Sequence, residues 1–361
     1  MRPWEAPVGP IMPLPYRPET TADVVKKLAR IGLALLSAVL LALFIISIPV
    51  GMRLYTDTAP GQDILARHLE GLYFWFLILL IRVPVSLPVW SLLLGLQVVF
   101  VSCFIAAAVQ GGGVHKAFAR SAEGPLLESL RNFLFAMPFI ATATLTGTLG
   151  LTWLVNILGL EVAPIGEVPE PLRLLLETSY AAVVEELGTR LVGIGLPLAL
   201  FAAYKAEEGK GLAFVKALFC PASLNKELKK AVRPLAWILV VATSLVFGFL
   251  HLLGWTPGKV LTATAAGLVL GTCFLYYGIH ASILVHWYLN YHVQIWAVWI
   301  MLTKDAGIAL LSGLTLFFEI VVGVLSLIMF FVQAVRLIAR RREKAREYRP
   351  IMPYYYRPVG W

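Results

Sequence analysis

Charge is what this chain has least of. Only 14% of its 361 residues are Asp, Glu, Lys or Arg, while 59% are hydrophobic. Soluble globular chains carry about 25% charged residues. The deficit excludes an ordinary water-solvated core and makes lipid the solvent over much of the surface. There, only helices or closed barrels satisfy the backbone. The ten-residue alternation of a barrel is missing, and the apolar runs reach the length of about 20 residues that a membrane helix needs. Cysteine is also scarce. Cys103, Cys220 and Cys273 stand far apart without a CxxC, which argues against a disulfide or zinc–cysteine framework. No HExxH helix pattern occurs. The first apolar run lacks a small-residue cleavage site, so a cleaved signal peptide is not expected.

What is present is an all-α, polytopic pattern of about eight spans, near 31–51, 88–109, 133–158, 172–202, 234–252, 259–278, 280–301 and 307–335. The interrupted run 71–87, with Arg82, Pro84 and Pro88, reads as an interfacial or re-entrant piece. Thr142, Thr144, Thr146 and Thr148 are expected to bond back to their own helix. The organisation that follows is an N-terminal tail (1–30), N-terminal membrane helices (31–170), a core (171–301), a last membrane helix (302–336) and a basic C-terminal tail (337–361).

The net charge of +9 is sorted by loop. The 204–233 loop has seven Lys and Arg against three Glu, and the 111–132 loop and both tails are basic too. The 53–70 and 160–171 loops are poor in Lys and Arg. This alternation is an orientation signal, not a nucleic-acid footprint, and it predicts a multi-pass protein of the plasma membrane with both termini cytoplasmic. Within the tails, 11–18 nearly repeats 351–358 (IMPLPYRP and IMPYYYRP). Two interface anchors of similar composition explain the likeness, and a shared partner is the sharper alternative.

Ionisable side chains inside a span mark functional sites by default. The fourth span holds Glu185-Glu186-Leu187-Gly188-Thr189-Arg190, an EExxxR pattern. Glu186 and Arg190 are one turn apart and can pair. Glu185 points about 100° away and is left to face a cavity, as a general base requires. The fifth span ends in an FxxxH (Phe247, His251), and the seventh holds an HxxxN (His286, Asn290). Each piece has a plainer reading: His251 as an interface residue, Glu186–Arg190 as structural glue or a transport element, Asn290 as an interhelical bond. His292 reads as an interface or packing residue, Glu177 as a snorkelling surface group or a cavity-mouth residue, and Gly267/Gly271 as a close-packing or dimerisation face.

The three patterns, in this order on nearby helices, resemble the CPBP family of intramembrane proteases, the type II CAAX prenyl endopeptidase-like and abortive-infection proteins. The likeness covers about 170–295 and includes the context Gly278–His286. It implies a multi-helix membrane fold, commonly of eight spans. It implies an endopeptidase that cuts near the C-terminus of a prenylated CAAX-type or other membrane-associated protein, approached from the cytoplasm. By the same resemblance Glu185 and His251 activate water, His286 and Asn290 hold the oxyanion, and Glu186, Arg190 and Phe247 support them. Zinc held by Glu185, His251 and His286 is one reading; a metal-free Glu/His water is the other. Expected partners are lipid and a peptide or lipidated protein, whose recruitment a prenyl chain aids by about 0.8 kcal/mol per buried CH₂; nucleic acid is not expected, and oligomeric state is left open. A transporter or channel using the same charges as a relay, and a non-catalytic immunity or scaffold protein, are the competing classes.

One expectation conflicts with straight helices. At about 1.5 Å per residue, Glu185 and His251 fall in the outer half of their spans and His286 in the inner half. A shifted boundary or a broken helix near Pro197, Pro257 or Gly278 is needed for them to meet.

Overall fold

The computed structural model describes residues 20–124, 126–166 and 169–347. The repeated tail motifs at 11–18 and 351–358 lie outside them. Eight long helical runs form the molecule: α1 (Thr21–Thr56), α2 (Val89–Val109), α3 (Phe133–Ile157), α4 (Pro171–Lys205), α5 (Lys226–Leu250), α6 (Gly258–Tyr277), α7 (279–303) and α8 (Ala306–Glu347).

Among the described residues, seven of the eight are long and apolar enough to cross a membrane; α7 is not among the seven. It carries His280, His286, Asn290, His292 and Gln294, yet its Trp287, Tyr288 and Tyr291 are fully buried. A helix walled in by other helices meets protein rather than lipid, so its sequence need not be apolar.

The stretch expected to be interfacial or re-entrant lies within 68–88. That stretch is β structure. β1 (His68–Leu69) pairs with β4 (Leu87–Pro88), and β2 (Leu72–Phe76) pairs with β3 (Leu79–Val83) as an antiparallel hairpin. Leu77 turns the hairpin at φ 54°.

Two helices are widened rather than broken at proline. α4 passes through a π segment at Leu187–Gly195, and α7 through another at Tyr288–His292. Pro197 sits in regular helix just beyond the first. The Gly278 break is real: at φ +105° it ends α6 and starts α7 in a conformation that favours glycine.

α5 and α6 run antiparallel in close contact. A Cβ on Gly267 would meet Ser244 at 3.2 Å, and one on Gly271 would meet Val240 at 3.0 Å. The glycine pair is thus spent on packing inside the chain. Three of the four α3 threonines bond back to their own helix, Thr142 to Pro138, Thr144 to Ile140 and Thr148 to Thr144. Thr146 departs from expectation and reaches the Ile320 carbonyl of α8.

Candidate active site

Glu185 and Glu186 close the regular part of α4, immediately before its π segment. Adjacent on the helix, they face different surroundings. Glu186 is fully buried and saturated: Arg190 lies 3.2 Å away, His286 Nδ1 donates at 2.8 Å, and the Ser282 hydroxyl also donates. Arg190, itself 1% exposed, donates to the Gly267 carbonyl at 3.2 Å and to Thr189, and its guanidinium stacks 4.8 Å over the Phe247 ring. Such bonds offset much of the desolvation cost of a buried ion pair; Arg190 Nε is left without a partner.

The Glu185 side chain retains 19% exposure and lines a cavity of about 300 Å³. Thr189, Phe247, Leu250 and His251 share its wall, with Trp75 of the hairpin and Trp255 beyond α5. His251 Nδ1 lies 2.8 Å from the Phe247 carbonyl. A carbonyl only accepts, so Nδ1 carries the proton and Nε2 is the acceptor. The Phe247 ring packs edge-on to His251 (centroids 4.7 Å) and to His286 (6.0 Å), fixing both imidazoles. His286 bridges the two carboxylates, with Nε2 3.8 Å from Glu185.

The depth conflict is thereby removed. Glu185, Phe247 and His251 line one cavity, and His286, Glu186 and Arg190 lie directly behind it, in contact with Glu185 and Phe247. Asn290 does not share its lining. Its amide donates to the Thr178 carbonyl at 3.1 Å, a level of α4 nearer Pro171. Glu177 lies outside the cavity and pairs with Arg173 on the surface at 2.8 Å.

A zinc set of Glu185, His251 and His286 does not fit these donors. Among the described residues no three His, Cys, Asp or Glu side chains converge on a metal position.

Several residues went unnoticed in the sequence. Trp75 and Trp255 carried no motif. Lys259 lies 4.3 Å over the Trp255 ring and forms no salt bridge among the described residues. Glu319 of α8, 2% exposed, receives the Tyr288 hydroxyl at 2.9 Å and pairs with His292 at 2.8 Å. An acid alone in an apolar run was the available signal, and it corrects His292 from a packing residue to a partner of that acid.

Residues 168–292 match the family described as Rce1-like, type II CAAX prenyl endopeptidase. The match runs from the start of α4 through the π segment of α7, and so contains Glu185, Glu186, Arg190, His251 and His286 but not the hairpin with Trp75, α1–α3 or α8. It is the family that the three motifs resemble. No curated protein and no solved structure matches the chain.

Proposed function

We propose that this protein is an intramembrane endopeptidase of the CAAX type, hydrolysing a peptide bond near the C-terminus of a prenylated or other membrane-associated polypeptide. The observation that carries the reading is the division of labour between adjacent glutamates: Glu186 is saturated by Arg190, His286 and Ser282, whereas Glu185 keeps a free edge in a cavity it shares with His251.

A water between Glu185 and the Nε2 of His251 loses a proton to Glu185 as its oxygen attacks the scissile carbonyl carbon. The tetrahedral oxyanion takes a hydrogen bond from His286 Nε2 with that imidazole carrying both protons, its Nδ1–H staying on Glu186, and Asn290 is the second donor once its Thr178 bond is exchanged. Collapse of the intermediate breaks the C–N bond, and the proton held by Glu185 passes to the leaving amine. A donor aimed at an oxyanion in a water-poor site contributes about 10²–10³ in rate.

Cleavage of a fluorogenic farnesylated CAAX peptide by detergent-purified protein tests this. Wild type is expected to turn over and Glu185→Gln to be inactive, with no effect of a zinc chelator on wild type. Equal cleavage by both proteins would remove Glu185 from its role. Uptake of ions into proteoliposomes that is abolished in Glu185→Gln, without peptide cleavage, would favour the relay class instead.

A further inference from the structure

The position of the cavity mouth within the bundle carries a consequence for the substrate. The wall residues Leu253, Gly254 and Trp255 lie in the turn between α5 and α6, and Leu253 is 76% exposed. That turn is tied to the segment joining α3 to α4. The Ile165 amide donates to Gly254, the Thr256 amide donates to Ala163, and Thr256 Oγ1 donates to the Glu161 carbonyl. The hairpin that supplies Trp75 follows α1 at the same end. Trp255 with Lys259 stacked on it is the amphipathic pairing expected at the headgroup level.

In the other direction the site is closed. Arg190 is bonded to the carbonyl of Gly267, nine residues and so about 14 Å along α6 from the mouth. Beneath this charged floor the helix Lys210–Phe219 packs hard against both neighbouring glycines. A Cβ on Gly195 would meet the Leu218 carbonyl at 2.5 Å, and one on Gly278 the Phe219 carbonyl at 2.8 Å.

The two ends differ in charge. The closed end carries Lys205, Lys210 and Lys216, the start of α5 with Lys229, Lys230 and Arg233, and Lys116, Arg120 and Arg131 between α2 and α3. The segments at the mouth end balance Asp57, Asp63, Glu70, Glu161, Glu170 and Asp305 against Arg53, Arg67, Arg82, Arg173, Lys259 and Lys304, and so carry no cationic excess. Short loops rich in Lys and Arg stay in the cytoplasm.

From these three observations we infer that the catalytic cavity opens on the extracytoplasmic face, and that its substrate is a membrane-embedded polypeptide whose scissile bond is presented from that face. The inference rests on the endopeptidase reading and narrows it. A prenylated C-terminus handed over from the cytoplasm meets the basic, closed end. A translocated C-terminus or loop lying in the outer headgroup region meets the mouth directly. The family resemblance alone implied the opposite opening.

Labelling the full chain in its membrane reads the orientation without any need for activity. In a Cys220→Ser background, Leu253→Cys and Ile165→Cys are expected to react with a membrane-impermeant maleimide only in right-side-out vesicles, and Lys210→Cys only in inverted ones. Reaction of Leu253→Cys in inverted vesicles, with Lys210→Cys protected there, overturns the inference; so does equal labelling of all three from both sides. A second arm offers the farnesylated peptide, coupled to an impermeant charged tag, to each vesicle type. Cleavage is expected in right-side-out vesicles, and cleavage confined to inverted ones overturns the inference. Absence of cleavage even in detergent counts against the endopeptidase reading, while the labelling still decides the orientation.

Discussion

Glu185 and Glu186 differ by one residue and about 100° of rotation, and that rotation assigns them opposite roles. Losing the Glu186 carboxylate leaves Arg190 as a buried cation without its partner, the situation in which removing one member of an ion pair costs about 3–5 kcal/mol. Glu186→Gln is therefore expected to lower the unfolding temperature sharply in detergent. Glu185→Gln, at the cavity wall, is expected to leave that temperature within a degree or two of wild type while abolishing turnover. Paired thermal melts and cleavage assays separate the two; a Glu186→Gln protein as stable as wild type would show that the pair is not structural. The i,i+4 spacing of Glu186 and Arg190 made their pairing legible in the sequence, and the rotation made Glu185's different outlook legible too. The arrangement of His286 was not. Its i,i+4 relation to Asn290 suggested one joint face, but its ring turns toward both glutamates, whereas Asn290 bonds Thr178. Spacing along one helix says which side chains share a stripe; it does not say which neighbouring helix each one meets.

At the scale of elements, the β2–β3 hairpin lies along α4 beside the site. The Tyr180 hydroxyl donates to the Tyr73 carbonyl at 2.8 Å, and the Trp75 carbonyl sits so close to the π segment that a Cβ on Gly188 would fall 2.0 Å from it. The substitution Gly188→Ala is thus expected to push the hairpin away from α4 and shift Trp75 in the cavity wall. Overpacking of this kind costs about 1–3 kcal/mol. Because the strain falls on a cavity wall, the expected signature is a fall in turnover of tenfold or more beside a modest loss of thermal stability. Wild-type kinetics in Gly188→Ala would mean that the hairpin does not shape the site. The sequence concealed this hairpin for identifiable reasons. Its strands are apolar on both faces, so no alternation appears. Its turn is Leu77-Ile78, without the Asn, Asp or Gly that normally announces a two-residue loop. The α5–α6 contact shows the reverse case, since a glycine pair at i and i+4 is read directly as a close-packed face.

For the molecule as a whole, the open question is how α8, outside the stretch that matches the peptidase family, is joined to the core that matches it. Part of the joint is apolar, with Gly323 so close to α3 that a Cβ would meet Thr146 Oγ1 at 2.0 Å. Part is the buried trio Glu319, His292 and Tyr288, which holds α8 to the π segment that also carries Asn290. The eight-run outline of the fold was legible because lipid-facing helices must be apolar. The identity of the most buried helix, α7, was legible only through its motif, since helices around it relieve the demand for apolarity. Glu319 was marked by its isolation in an apolar run, but its partners were not, because a tertiary ion pair leaves no local spacing. A double-mutant cycle measures it. Glu319→Leu alone strands a buried imidazole and a buried phenol, and His292→Phe alone strands a buried carboxylate, so each single variant is expected to melt well below wild type. The double variant replaces the pair with apolar groups and is expected to recover much of the loss, giving a coupling of about 1–3 kcal/mol. Strictly additive losses would show that the pair does not couple α8 to the core. Recovery of stability together with reduced turnover would place the trio among the groups that hold the Asn290 segment in position.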